Sequence, residues 1–196
     1  YYWNKAKEGN GIYTTLAIRA LKENENELKN VKTTSDPTIK SKEDYDEAVK
    51  LINKHKVTPA ITLLESAANT GNQDAQLKLS QLYEKGWRPD NCYDSEGNVI
   101  LDKNSCDMFA GDKNIDYAKM IFWLEKYAEE SKDVNSQFTI AWTYHTGKEY
   151  KIKAESWSIT ADKVVPGKSI ESDAENALKW FKISAENDHT TAQEYL

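Results

Sequence analysis

Reactive side chains are few in this sequence, with three His and two Cys among 196 residues. His55, His145 and His189 stand far apart in the chain. None has a Ser, Cys or acidic neighbour at a spacing that builds a catalytic triad or a metal motif. No Gly-rich phosphate loop is formed by the eight Gly. Asp and Glu together number 32, so carboxylate pairs arise by chance and do not by themselves specify two-acid glycosidase chemistry. One run, Asp94-Ser95-Glu96-Gly97-Asn98-Val99, is faintly calcium-like, but its register fails. With Gly97 at the sixth loop position, Cys92 falls first and Lys103 twelfth, where acids are required. A hairpin turn is the better reading. The sequence therefore offers no catalytic residue, no metal site and no cofactor site, and His145 reads as a surface imidazole.

Cys92 and Cys106 remain, both within one stretch between helical segments. Joining them would close a short loop and stabilise the fold by about 3 kcal/mol. A pair confined to one insertion points to an oxidising compartment. Two free thiols are the alternative. Zinc is disfavoured because no second Cys or His pair accompanies them.

The elements that must position these residues come from a repeat. Ala75-Gln76-Leu77-Lys78-Leu79-Ser80-Gln81-Leu82-Tyr83-Glu84-Lys85-Gly86 returns as Ser136-Gln137-Phe138-Thr139-Ile140-Ala141-Trp142-Thr143-Tyr144-His145-Thr146-Gly147, and starts again at Ala192. Each copy follows a matching helical stretch: residues 60–68, 120–128 and 177–185. One helix pair cannot bury its own apolar face, so the expected fold is all-α, an α-solenoid of stacked antiparallel helix pairs. Helices are expected over Pro59–Thr70, Gln73–Lys85, Ile115–Ser131, Val134–Thr146 and Ser172–Asn187, with Gly71, Gly86 and Gly147 as stops. Thr58-Pro59 reads as cap and first helical residue.

The repeat period exceeds the roughly 34 to 47 residues of common helix-pair repeats. Two inserted loops, about residues 87–114 and 148–171, hold the surplus, and a small β-hairpin is expected at Gly97-Asn98. A minor β component is also expected in the alternating stretch from Tyr150. Residues 1–43 divide off as an N-terminal segment, with a helix from Gly11 to about Lys22 and then a charged linker in which Asp36-Pro37 acts as a breaker. The solenoid occupies residues 44–196.

Composition fits such an array. Hydrophobic residues at 39% and aromatics at 11% suffice for a core. A charged fraction of 30% with a mean hydropathy of −0.79 makes that core thin. The net charge of −6 argues against nucleic acid, since phosphate binding needs clustered Lys and Arg. No apolar run is long enough to span a bilayer. A chain opening on Tyr1 rather than Met fits the loss of a leader, lipid-anchor segment or tag.

Within each repeat, Leu79, Leu82, Tyr83 and Ile140, Trp142, Tyr144 follow the spacing of a buried stripe. Ala75, Ser136, Ser80 and Ala141 are small enough for close helix approach, and Trp123 and Trp180 read as core. Off the stripe lie Leu77, Lys78, Gln81, Glu84, Phe138, Thr139, Thr143 and His145. Leu77 and Phe138 share a slot and are either additional core or an apolar strip. Helix arrays present these first helices along an inner surface, so the strip is the expected partner-binding face. An acidic chain should favour a partner with a basic patch.

The residues also carry a resemblance. Ala75, Leu79, Ser80, Leu82, Tyr83 and Gly86, with Asp116, Lys119, Met120, Trp123, Tyr127 and Ala128, follow a pattern similar to the Sel1-like repeat, a relative of the tetratricopeptide repeat. Ser136, Ile140, Ala141, Trp142, Tyr144 and Gly147, with Asp173, Asn176, Ala177, Trp180, Ser184 and Ala185, repeat it. Ser80 and Ala141 stand where that pattern has Gly. The resemblance implies a non-enzymatic protein-binding scaffold. It extends to adaptors and to bacterial immunity proteins that neutralise secreted antibacterial toxins, as in type VI secretion. Together with the cysteine pair this gives a periplasmic or cell-envelope protein. The alternatives are an enzyme related to cysteine-rich β-lactam-binding repeat proteins and a cytoplasmic regulatory scaffold.

Overall fold

The computed structural model describes residues 36–100, 106, 114–152 and 163–196. Contacts divide the chain into two units, Tyr1–Lys40 and Ser41–Leu196. The helix expected over Gly11 to about Lys22 and most of the charged linker lie outside the described residues. The helices are α1 (Pro37–Asn53), α2 (Val57–Asn69), α3 (Gln73–Lys85), α4 (Tyr117–Ser131), α5 (Val134–Thr146), α6 (Ala174–Glu186) and α7 (Thr190–Glu194). From α2 onward each helix packs on the next in sequence order. This is an all-α helical-repeat fold with adjacent helices packed in pairs.

Two start signals are exchanged relative to expectation. Asp36-Pro37 does not break a linker but begins α1, with the Thr38 N–H donating to Asp36 Oδ1 at 3.0 Å. Pro37 suits a first turn because its missing N–H would have no partner there. Helix α2 begins at Val57, not at Pro59, and its N-cap Lys56 supplies no side-chain bond. Thr58 is capped from a distance, since its N–H and its hydroxyl both donate to Asp90 Oδ1, at 3.1 and 3.2 Å.

The repeats are alike in their polar bonds as well as their core. Asn72, Asp133 and His189 cap α3, α5 and α7, accepting from the N–H of Ala75, Ser136 and Ala192 at 2.9, 2.8 and 3.2 Å. Gln76, Gln137 and Gln193 each donate to the end of the preceding helix, at the carbonyls of Ala68, Ala128 and Ala185. Carbonyls in a final turn lack intrahelical partners, so a glutamine at this slot satisfies one per repeat. Ala75, Ser136 and Ala192 are buried where these helices approach. Trp123, Trp180, Leu79 and Ile140 fill the core, as expected. Trp142 leaves the expected stripe and is 41% exposed. Its slot is that of the exposed Gln81, so the repeat register places it outward.

Both insertions return the chain to equivalent points. The Asp116 N–H donates to the Tyr83 carbonyl at 2.9 Å, and the Asp173 N–H to the Tyr144 carbonyl at 2.8 Å. Long loops between fixed ends add little entropic cost, which is why the repeat geometry survives them. The first insertion contains the Cys92–Cys106 disulfide. Tyr93 pairs with Val99 as an isolated antiparallel bridge around the Gly97 turn. There Asp94 accepts from the Asn98 side-chain amide at Oδ2 and from the backbone N–H groups of Glu96 and Asn98 at Oδ1, and these bonds, the Asn98 side chain's first, hold its carboxyl below the usual range. The turn is thus built by hydrogen bonding within the loop. The second insertion forms a two-residue antiparallel ladder, β1 (Lys151–Ile152) with β2 (Lys163–Val164). At its base Lys148 and Ile170 exchange backbone bonds of 2.7 and 2.8 Å. Gly147 has φ +71° there, and an added Cβ would meet the Ile170 carbonyl oxygen at 3.1 Å.

Tyr83 and Tyr144 occupy one slot and donate to Glu65 and Glu125 at 3.1 and 3.0 Å. Burial, and then the facing carboxylate, raise both phenols well above the usual value. The fold therefore favours the protonated phenols. Their contribution is fully present below the unfolded value of about 10 and is lost as pH rises above it. The melting temperature is expected to fall steeply above about pH 10, and less steeply in Tyr83→Phe/Tyr144→Phe. Equal alkaline slopes for the two proteins would refute the assignment.

Candidate functional site

Helix α5 contains no Asp, Glu, Lys or Arg, in a chain of which 30% is charged. Its inward face holds Ser136, Gln137, Ile140 and Ala141. Outward it presents Thr139, Trp142, His145 and Thr146, all exposed. The threonine hydroxyls turn back on their own helix. Thr139 donates to the Asn135 carbonyl at 2.8 Å, Thr143 to Thr139 at 2.7 Å and Thr146 to Trp142 at 2.9 Å. With their donors committed in this way, they add little polar recognition to the face.

Around this helix six rings gather: Phe138, Trp142 and His145 from α5, Phe181 from α6, His189 at the start of α7, and Tyr195 just past its end. His189 stacks on Phe138 with centroids 4.3 Å apart and planes at 8°. Tyr195 stacks on Phe181 at 5.1 Å and meets Trp142 edge-on at 5.6 Å. His145 approaches Trp142 at 5.6 Å and Phe181 at 6.2 Å. Offset and edge-on pairs of this kind add about 0.5–1.5 kcal/mol each beyond burial. Phe181 is buried, Phe138 and His189 are half-buried, and Trp142, His145 and Tyr195 stand in solvent. Beside Trp142 a groove of ≈ 360 Å³ is lined by Phe138, Thr139, Thr143, Thr146 and Lys148.

Of the residues expected to bind, the structure brings Phe138 and His145 into one ring cluster and sets Phe138 and Thr139 on the groove. Thr143, which also lines the groove, is otherwise buried. Glu84 joins the edge, holding Lys148 at 2.7 Å while that ammonium lies 4.7 Å over the Tyr117 ring. Leu77 and Phe138 both pack partly against the core and are partly exposed. Lys78 is half-buried and Gln81 exposed on α3. No ring contact or hydrogen bond ties Leu77, Lys78 or Gln81 to the α5 cluster among the described residues. Trp142, Phe181, His189 and Tyr195 are not among the residues that the sequence assigns to the binding face. The signal for Trp142 was its alignment with a polar slot, Gln81, and for Tyr195 its alignment with Lys78 and Thr139.

No group of three or more His, Cys, Asp or Glu able to hold a metal ion forms among the described residues. No helix there is long and apolar enough to cross a membrane. The fold and site define a helical-repeat protein with an uncharged, aromatic-rich helix face. No protein-family model matches the chain, and no curated protein matches it either.

Proposed function

We propose that this chain is a non-enzymatic, protein-binding repeat scaffold that docks its partner on the α5 face. One observation carries the reading: Trp142 stands 41% exposed on a helix without a charged residue, amid Phe138, His145 and Tyr195. Interface centres are depleted of charge and enriched in aromatics, and Trp is foremost among residues whose truncation costs binding. Rings already packed against one another lose little side-chain freedom on binding.

The repeat pattern of Ala75–Gly86 and Ser136–Gly147, which resembles the Sel1-like repeat, supports an adaptor or immunity protein. The sharpest version is a bacterial cell-envelope protein that binds and neutralises a secreted antibacterial toxin. The Cys92–Cys106 bond supports an oxidising compartment such as the periplasm. The net charge of −6 favours a partner whose basic patch surrounds an apolar centre. Added salt should then weaken association.

Intact chain and Trp142→Ala are to be used in parallel to retain proteins from the native host, and the retained partner titrated against both. The variant is expected to raise Kd about 30-fold, as for a residue at an interface centre, with little change in melting temperature. Equal affinity for both proteins would remove α5 as the docking face. Retention of nothing by the intact chain would refute the scaffold reading.

A further inference from the structure

The third repeat differs from the other two in the chemistry of its cap. Asn72 and Asp133 cap α3 and α5 through side-chain oxygens, whereas His189 caps α7 through Nδ1, which accepts the Ala192 N–H at 3.2 Å. A neutral imidazole can accept at one ring nitrogen, but an imidazolium carries N–H on both and accepts at neither. Rotating the ring does not help, since either nitrogen would then point a proton at the Ala192 N–H. An amide does not titrate and an ordinary Asp titrates near pH 4, whereas imidazole changes charge around pH 6.5. The same ring is stacked on Phe138, and α7 leads directly to Tyr195, which packs on Phe181 and Trp142.

We infer that His189 makes the aromatic α5–α7 surface pH-sensitive: complete when the imidazole is neutral, and loosened at Ala192 to Tyr195 when it is protonated. Protonation does not break the stack, because a cation over the Phe138 ring is attracted to it. What is lost is the cap, and α7 has only five residues with which to hold itself. Charged or titratable groups on the packed elements are Tyr144 and His145 on α5, Glu175, Lys179, Lys182 and Glu186 on α6, Lys132 and Asp133 in the α4–α5 link, and Asp188, Glu194 and Tyr195 in the segment itself. None makes a hydrogen bond or ion pair with the imidazole. Asp133 is committed to the Ser136 N–H, and the backbone N–H of His189 donates to the Ser184 carbonyl at 3.0 Å. That this response regulates binding rests on the docking face proposed above, but its test uses the chain alone.

Amide exchange of Ala192 is to be followed by NMR between about pH 7.5 and pH 5, corrected for intrinsic rates, with Ile140 in α5 as an internal reference. In the intact chain the Ala192 protection factor is expected to fall about fivefold, the loss that follows removal of a cap. His189→Asn installs the acceptor used at Asn72, and its Ala192 protection should be independent of pH. A flat profile in the intact chain overturns the inference. So does a fall that persists in His189→Asn, which would assign the titration to another group such as His145.

Discussion

Trp180→Ala is expected to destabilise the protein by about 3–5 kcal/mol, the cost of emptying a core site of that size. Trp180 is 1% exposed and among the largest fully buried side chains. Its loss also removes the 3.2 Å bond from Nε1 to Glu125 Oε1, the same oxygen that accepts the Tyr144 hydroxyl. Glu125 thus ties α4 to both α5 and α6, and one donor of two would be lost. Domains are stable by about 5–15 kcal/mol in total, so this change consumes much of the margin. In repeat arrays each unit is held mainly by its neighbours, and the loss should fall on α6 and α7 before α2 and α3. Amide exchange resolved by segment checks this, with rapid exchange confined to residues 174–194. Trp180→Phe, which keeps most of the ring volume but not the N–H, should cost less than Trp180→Ala. A loss below about 1 kcal/mol for Trp180→Ala would show that the indole is not the core residue described.

The parts of this fold that were legible in sequence are those set by local pattern. Helices α3 and α5 match their expected bounds because a polar cap, a small residue, an apolar stripe and a glycine stop all recur in both copies. The stop at Gly147 is readable because its backbone needs a positive φ. What escaped sequence reading depends on partners distant in the chain. Thr58-Pro59 resembles a helix start, yet α2 is capped by Asp90 from the first insertion, which no local pattern announces. Asp36-Pro37 shows the converse, since the same residue types that end one element can begin the next. Trp142 falls within the spacing of the buried stripe, although the repeat register aligns it with the exposed Gln81. His189 has no telling neighbour in sequence, and its role follows from the slot it shares with Asn72 and Asp133. The ring cluster as a whole needs α5, α6 and Tyr195 together, so only its α5 members could be read from the repeat.

Breaking the Cys92–Cys106 bond is expected to remove about 3 kcal/mol, by the chain-entropy estimate for a loop of this length. Both cysteines are buried, and among the described residues Tyr93 packs on them. Among its described residues the insertion is held by the covalent bond, by Trp87 packed against the main core, and by contacts near the start of α2. Tyr93 stacks on His55 with centroids 4.3 Å apart, and Asp90 caps Thr58. Gly97 lies beneath His55 so closely that an added Cβ would sit 3.2 Å from its ring. Releasing the loop should therefore be felt first at the start of α2, where Thr58 would lose its acceptor, and only weakly at α5–α7. Reduction with dithiothreitol, or Cys92→Ser/Cys106→Ser, should lower the unfolding free energy and speed amide exchange at residues 57–61. Iodoacetamide applied to the chain unfolded without reductant should modify neither sulfur. Two labelled thiols would refute the bond in the isolated protein and remove the main support for an oxidising compartment. Labelling of neither sulfur, combined with a reduction cost below about 0.5 kcal/mol, would instead show that the bond forms but does not hold the insertion to α2.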